Sequence, residues 1–260
     1  MAIKIPIPVF SKNELDVAHQ CAVALWYGVD FKTGRNRKRS DAELLETFAT
    51  PFFNIPRNNS YTATPGDISR LIAACKLNAL FRLLKIMDFN AGLLSVDQKI
   101  YPIYQNYLQR TPNDKVEMFG AACIQALSDG ITTTANGRRL VLASRMLFFV
   151  VPTMPIFNMN NRVAKEFGLG SLAYLYKDDY CKLMLDGMNN NNLLLSTYSL
   201  PIDLNGMNTE TYSIVYKSDW WQRRILDIAI LINLGLAAPK SGLNGIINAK
   251  VIELQNSILI

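Results

Sequence analysis

Residues 135–163 read ANGRRLVLASRMLFFVVPTMPIFNMNNRV, and the order of turn, apolar run and proline in this stretch decides the class of fold. Asn136-Gly137 is a tight-turn pair. It opens an apolar helix over 138–150 that carries arginines at its start. Pro152 ends that helix, and Pro155 follows within a stiff apolar connector, because each proline removes a backbone donor and fixes φ. The connector delivers Asn158 just ahead of a new polar helix start at Asn160-Asn161-Arg162. A helix N-terminus has free N–H groups that attract phosphate or another anion. Turn, helix, proline-ordered connector and polar residue together present one side chain at a cleft.

Helix signals recur on both sides. Ser11-x-x-Glu14 is a capping box, and Leu15, Ala18, Ala22 and Leu25 fall on one stripe to about Trp26. Ser40-x-x-Glu43 opens a shorter helix. Thr64-Pro65 starts the longest periodic run, Ile68 to Met87, and Thr111-Pro112 repeats that start before Met118, Ala122 and Leu127. Further helices are predicted at 160–167, 171–186, 219–236 and 243–257, with Asp219-x-x-Gln222 capping the penultimate one. Only 2–9 and 211–216 have β-like composition, and neither alternates cleanly. The asparagine run 189–192 and Pro201–Gly206 read as loops. There is no βαβ rhythm, glycine-rich phosphate loop or repeat. The expectation is an all-α, compact multi-helix protein of about ten helices. It forms one unit over 1–260, or two lobes dividing near 110 with the N-terminal helix crossing back.

The chain has 260 residues, half of them apolar, with 18% charged residues and one histidine. That supports a real core and excludes disorder. His19, the only imidazole, lies in an apolar helical pattern and reads as a helix residue rather than a catalyst, so His-based metal sites and a Ser–His–Asp triad are excluded. Chemistry falls to carboxylates, amides, Lys, Arg, Tyr or Cys, and no metal or cofactor is implied. Cys21, Cys75, Cys123 and Cys181 are widely spread in apolar segments and read as reduced core thiols of a cytoplasmic protein. No segment has the pattern of a signal peptide or membrane span. Basic residues exceed acidic ones to give a net charge of +6, which favours a polyanionic partner.

The densest charge cluster, Lys32, Arg35, Arg37, Lys38 and Arg39, lies in FKTGRNRKRSD. It reads either as a solvated turn or as an arm whose arginines neutralise phosphates without reading sequence. Arg139 and Arg145 suit phosphate binding or pairing with a carboxylate on a neighbouring helix. Trp220-Trp221 with Arg223-Arg224 suit stacking on an extruded base, with a core role for one indole as the alternative. Asp227 sits among isoleucines and leucines, where an unpaired carboxylate is costly. Pairing with Arg139, Arg145 or Arg224 explains it structurally; a role as catalytic carboxylate explains it functionally. Asp178-Asp179 reads as a solvated helix face. Asp88 and Asn90 follow ordinary helix-end chemistry.

Two short motifs resemble the helix-hairpin-helix DNA glycosylases, particularly the 8-oxoguanine type. Gly137-Arg138-Arg139 stands where that family has a G-x-K turn. Pro155-Ile156-Phe157-Asn158 stands at matching spacing where the family has P-V/I-x-D. Ser144-Arg145-Met146-Leu147-Phe148-Phe149 with Pro155–Asn158 also resembles a bacterial glycosylase-like group with an S-K-x-L-x-F-x-x-P-x-x-F-P-I-Y-D pattern. Trp221–Asp227 is similar to a final helix of that group. Arginine replaces the lysine in either alignment, so no Schiff-base nucleophile is implied. Asn158 replaces the aspartate: an amide positions a water or a sugar oxygen but is no charged base.

The resemblance implies a protein that binds double-stranded DNA, extrudes a modified base and hydrolyses its N-glycosidic bond with water as nucleophile. A bulky phage modification met in a defence role is one such target. On this reading Asn158 and Asp227 are the catalytic candidates. Arg35, Arg37, Lys38, Arg39, Gly137, Arg138, Arg139, Arg145 and Arg162 contact DNA. Phe157, Trp220 and Trp221 line the base pocket. The rival readings are an inactive DNA-binding protein on the same scaffold and a helical protein-interaction subunit.

Overall fold

The computed structural model describes residues 5–37, 39–54, 100–130, 136–169, 177–204 and 206–258; residues 47, 51, 54, 130, 136–139, 142, 177, 178 and 258 are described by their backbone alone. These residues form ten helices: α1 (Lys12–Trp26), α2 (Asp41–Asn54), α3 (Tyr101–Leu108), α4 (Val116–Gly130), α5 (Asn136–Val150), α6 (Asn161–Glu166), α7 (Lys177–Leu195), α8 (Thr209–Lys217), α9 (Trp220–Asn233) and α10 (Leu243–Ile258). No strand occurs among them, and the one β feature is an isolated antiparallel bridge, Val29 to Asn36. The expected long helix from Thr64-Pro65, with Cys75, Asp88 and Asn90, lies outside the described residues. No described helix is long and apolar enough to cross a membrane.

The chain divides into two compact units, and not near 110. The first holds Met1–Ile5 and Pro51–Leu185, the second Pro6–Thr50 and Asp186–Ile260. Both ends of the sequence beyond residue 5 therefore build the second unit. Its core is the face of α1 carrying Leu15, Ala18, Cys21, Ala22, Leu25 and Trp26, packed on Trp220, Trp221, Ile225 and Leu226 of α9. α10 joins α1, and α8 joins α9. In the first unit α4 packs on α5 and on α3, burying Ala121, Cys123, Ile124 and Leu127 with Ala143, Met146, Leu147 and Phe148.

Local chemistry explains where the helices start. The Ser11–Glu14 capping box forms as read from sequence, and so does Ser40–Glu43: Glu43 N–H donates to Ser40 Oγ (2.9 Å) and Ser40 N–H to Glu43 Oε2 (2.7 Å). Thr111-Pro112 does not open α4. Thr111 N–H and hydroxyl both donate to Asp114 Oδ2 (2.6 and 3.1 Å), which closes a separate turn and delays the helix to Val116. At α9 the Asp219 side chain makes no cap; its Oδ1 takes the Arg223 Nε–H at 3.0 Å.

Two segments depart from the expected loop and strand character. Residues 189–192 belong to α7, although asparagine is a weak helix former. The reason is tertiary. Asn191 is buried, its Oδ1 accepts from Phe10 N–H (2.8 Å), and its Nδ2 donates to Pro8 O (3.0 Å) and Gly187 O (2.8 Å). One amide thereby satisfies the backbone of the segment entering α1, where an unpaired buried group would be costly. Residues 211–216 belong to α8, started by Asn208, whose Oδ1 accepts from Glu210 and Thr211 N–H.

Candidate nucleic-acid interface

The basic cluster in the second unit is neither a free arm nor a plain solvated turn. Residues 28–37 fold into a short hairpin. Asp30 N–H donates to Arg35 O (2.9 Å), Gly34 N–H to Asp30 O (2.7 Å) and Arg37 N–H to Gly28 O (2.7 Å). The Asp30 carboxylate accepts from Lys32 and Thr33 N–H, both at 3.0 Å. Gly34, at φ 72°, occupies a left-handed position that favours glycine. A Cβ there would also lie only 2.8 Å from Ile246 Cδ1, so the hairpin rests directly on α10. Phe31 is buried, and its carbonyl accepts Lys240 N–H at 2.7 Å. The tip presents Lys32, Thr33, Arg35 and Asn36 to solvent next to exposed Lys240. Lys38 lies outside the described residues.

The stem is fixed by a buried charge. Asp41 has no solvent exposure and sits in the first turn of α2, where the helix dipole favours an anion. Its Oδ1 accepts from Arg37 Nη1 (2.8 Å), and its Oδ2 from Arg224 Nε (2.8 Å) and Nη2 (2.6 Å). Arg37 also donates to Leu25 O at 3.3 Å. Burial pushes the Asp41 carboxyl up, but the guanidiniums of Arg224 and Arg37 outweigh it and hold the carboxyl below its ordinary value. Arg224, one of the three arginines considered for Asp227, stands 3.7 Å from it, and Asp227 is buried. Arg39 stands 3.7 Å from Glu43 at the surface.

These contacts correct the expectations for this unit. Arg37 is turned inward to Asp41 rather than outward as a phosphate contact. Asp227 pairs with Arg224, one of the partners expected for it, and so joins the ion-pair network around Asp41. Trp220 and Trp221 are 0% and 1% exposed, with ring centroids 6.3 and 6.1 Å from Trp26. Both are core residues rather than one, and an indole without an accessible face offers no stacking surface. Arg223 is also fully buried, against Asp219.

In the first unit the proline connector is clamped along its length. Val151, Pro152, Met154, Pro155, Ile156, Phe157 and Met159 are buried, and Phe157 at 1% exposure is a core residue, not an open pocket wall. Gly120 of α4 meets the Pro155 carbonyl so closely that a Cβ at 120 would overlap its oxygen. Met159 N–H donates to Ser144 Oγ (2.9 Å), and Tyr180 Oη–H donates to Asn158 O (3.0 Å). Asn158 is half-buried, and it is not the cap of α6: Asn160 is, its Oδ1 accepting from Arg162 N–H at 2.9 Å. Arg145 and Arg162 are exposed on α5 and α6. Asn136, Gly137, Arg138 and Arg139 form the first turn of α5 rather than a turn before it. Asn158 and Asp227 fall in different units.

The second unit also holds the one histidine. The His19 ring stacks on Tyr198 (centroids 4.7 Å apart) and meets the edge of Trp221 (5.8 Å). Tyr198 Oη–H donates to Asp16 Oδ1 at 2.6 Å, and Lys12 Nζ pairs with the same carboxylate at 2.9 Å. Burial lowers the His19 imidazole from its ordinary value, and Asp16 works against that shift. Burial also pushes the Cys21 and Cys123 thiols up to about 12, which makes them poor nucleophiles.

His19 and Asp41 are both depressed in the folded state, so their stability contributions have one sign. Each is present above the unfolded pKa, about 6.5 for imidazole and about 3.9 for the carboxyl, and is lost as pH falls toward the folded value. Denaturant unfolding is expected to show lower stability at about pH 5 than at about pH 7.5, and a second loss below about pH 4. His19→Phe should remove the upper step and leave the lower. Equal wild-type stability at the two higher pH values would contradict the assignment.

No protein-family model matches this chain, and no curated protein or solved structure is significantly similar to it.

Proposed function

We propose that this is a DNA-binding protein that engages the phosphates of duplex DNA through the hairpin at 28–37. The observation that carries the reading is how the hairpin is held: its backbone is bonded internally, it rests on α10, and its Lys32 and Arg35 are exposed, with Lys240 exposed next to it. A fixed basic surface binds a polyanion without the cost of ordering its side-chain platform first. The net charge of +6 acts in the same direction. Fluorescence anisotropy with a labelled duplex at low salt tests this. Binding that weakens steeply with added salt is expected. No binding at about 50 mM salt would contradict the reading and favour a protein-interaction module.

A second reading, excision of a modified base with water as nucleophile, has its own support in the anchoring of Asn158. Gly120, Ser144 and Tyr180 hold the connector on three sides of sequence, and α6 has its cap elsewhere, which leaves Asn158 outside the capping role. An amide so placed can orient a water or a sugar oxygen. Duplexes carrying modified bases, incubated and then cleaved with alkali, report on it. Abasic product that disappears in Asn158→Ala supports excision; binding without product from any duplex leaves the protein a binder.

A further inference from the structure

With Trp220 and Trp221 in the core, the aromatic surface of the second unit lies elsewhere. Tyr212 and Tyr216, one helical turn apart on α8, stack with ring centroids 6.2 Å apart and planes inclined by 25°. Tyr216 is 57% exposed and Ile202, close by in sequence to the segment they contact, 73%. Large apolar groups held this far into solvent are unusual enough to mark a contact surface when they cluster. Lys217 is exposed in the last turn of α8.

This pair and the basic hairpin are built on the same short segment. Tyr212 Oη–H donates to Pro201 O at 3.1 Å. Trp26 Nε1–H and Tyr27 Oη–H, immediately before the hairpin's first residue, both donate to Ile202 O at 3.2 Å. Residues 201–202 are therefore held by the base of the hairpin and by the tyrosine pair together. At the other edge Thr50 and Thr211 hydroxyls share a hydrogen bond of 2.9 Å, and Asn208 N–H donates to Glu46 Oε2, which fixes α8 on the helix that starts at Asp41. Asp203 is turned onto Met207 N–H, so the nearest carboxylate of this segment is engaged by the backbone.

We infer that Tyr212 and Tyr216 form a stacking platform for unpaired bases of a DNA strand whose phosphates lie on Lys32 and Arg35 of the hairpin. The inference rests on the DNA-binding reading. It extends it from a phosphate contact, blind to strandedness, to a preference for single-stranded or locally opened DNA. Base–aromatic stacking tolerates any sequence because every base has a π-face, and it needs basic groups to track the backbone beside it. A stacked tyrosine pair whose Tyr216 is exposed, held on the same segment as the base of the basic hairpin, supplies both.

The test uses the full chain, a labelled oligothymidylate of about fifteen nucleotides and a labelled duplex of the same length. Tyr216→Ala is expected to weaken oligothymidylate binding about 5- to 100-fold, while Tyr216→Phe stays within about twofold of wild type. Duplex affinity should change by less than about twofold in both. Tyr216 is exposed, so the variants are expected to unfold at the wild-type temperature. If Tyr216→Ala binds oligothymidylate as wild type does while Lys32→Ala/Arg35→Ala loses affinity, the platform is overturned and DNA binding stands. If the wild-type protein binds neither oligonucleotide, the DNA-binding reading fails and the platform with it.

Discussion

Replacing Asp41 by alanine is expected to lower the stability of the protein by about 3–5 kcal/mol. The reason is asymmetry. Asp41 is wholly buried between Arg37 and Arg224, which contribute three short contacts to its two oxygens. Deleting the carboxylate takes from Arg224, in a low-dielectric interior, its two short contacts and leaves the longer one to Asp227 at 3.7 Å. It also removes the anchor that ties the hairpin stem to α2 and α9. Urea unfolding reads the loss, and the melting temperature should fall by on the order of 10 °C. Arg39→Ala removes an exposed pair two residues away and should cost less than about 1 kcal/mol. Equal effects for the two variants would mean that Asp41 is not the anchor.

Gly120→Ala gives the second large effect, and its sign is the informative part. Alanine is the better helix former by about 1 kcal/mol, so an unobstructed helical glycine gains stability from this change. At Gly120 the added methyl would overlap the Pro155 carbonyl oxygen, with the carbonyl carbon only 3.2 Å away. Backbone on both sides leaves no flexible side chain to move. The connector must shift, and a net loss of about 1–3 kcal/mol is expected. Gly245 of α10 has open space around its Cβ position and serves as the contrast: Gly245→Ala should be neutral or stabilising. Because the connector carries Asn158, the same variant is expected to reduce any base excision in proportion beyond the loss of folded protein. A stabilised Gly120→Ala would contradict the close approach.

How much of this was legible in sequence depends on whether the information is local. The Ser11–Glu14 and Ser40–Glu43 boxes are four-residue codes, and both form. The apolar stripe of α1 is a periodicity and is buried as the period requires. The 189–192 run was misleading because its helix is stabilised by Asn191 reaching residues more than 180 positions away. Thr111-Pro112 was misleading because Asp114 competes for the same donors. The division of the chain after Thr50 and Leu185 depends on which distant helices pack together, which no composition change marks.

The site was legible to a similar extent. The basic run was visible as charge, but its hairpin depends on Asp30 and Gly34, and its inward arginine on a partner in α2. The role of Asp41 is not legible in sequence because its second arginine lies 183 residues away. Tandem tryptophans suggested a stacking surface, yet both fit the apolar period of α9 and are buried by it. The i,i+4 spacing of Tyr212 and Tyr216 was readable in a helix, and reading 211–216 as strand-like concealed it.

If DNA phosphates bind at the hairpin, the slope of log K against log salt for duplex binding differs between wild type and Lys32→Ala/Arg35→Ala. Each phosphate contact contributes about 0.9 to that slope in magnitude, so losing two contacts should make it shallower by roughly two and weaken low-salt binding at least tenfold. An unchanged slope and affinity in the double variant, with the fold intact, would place the DNA elsewhere and contradict the account.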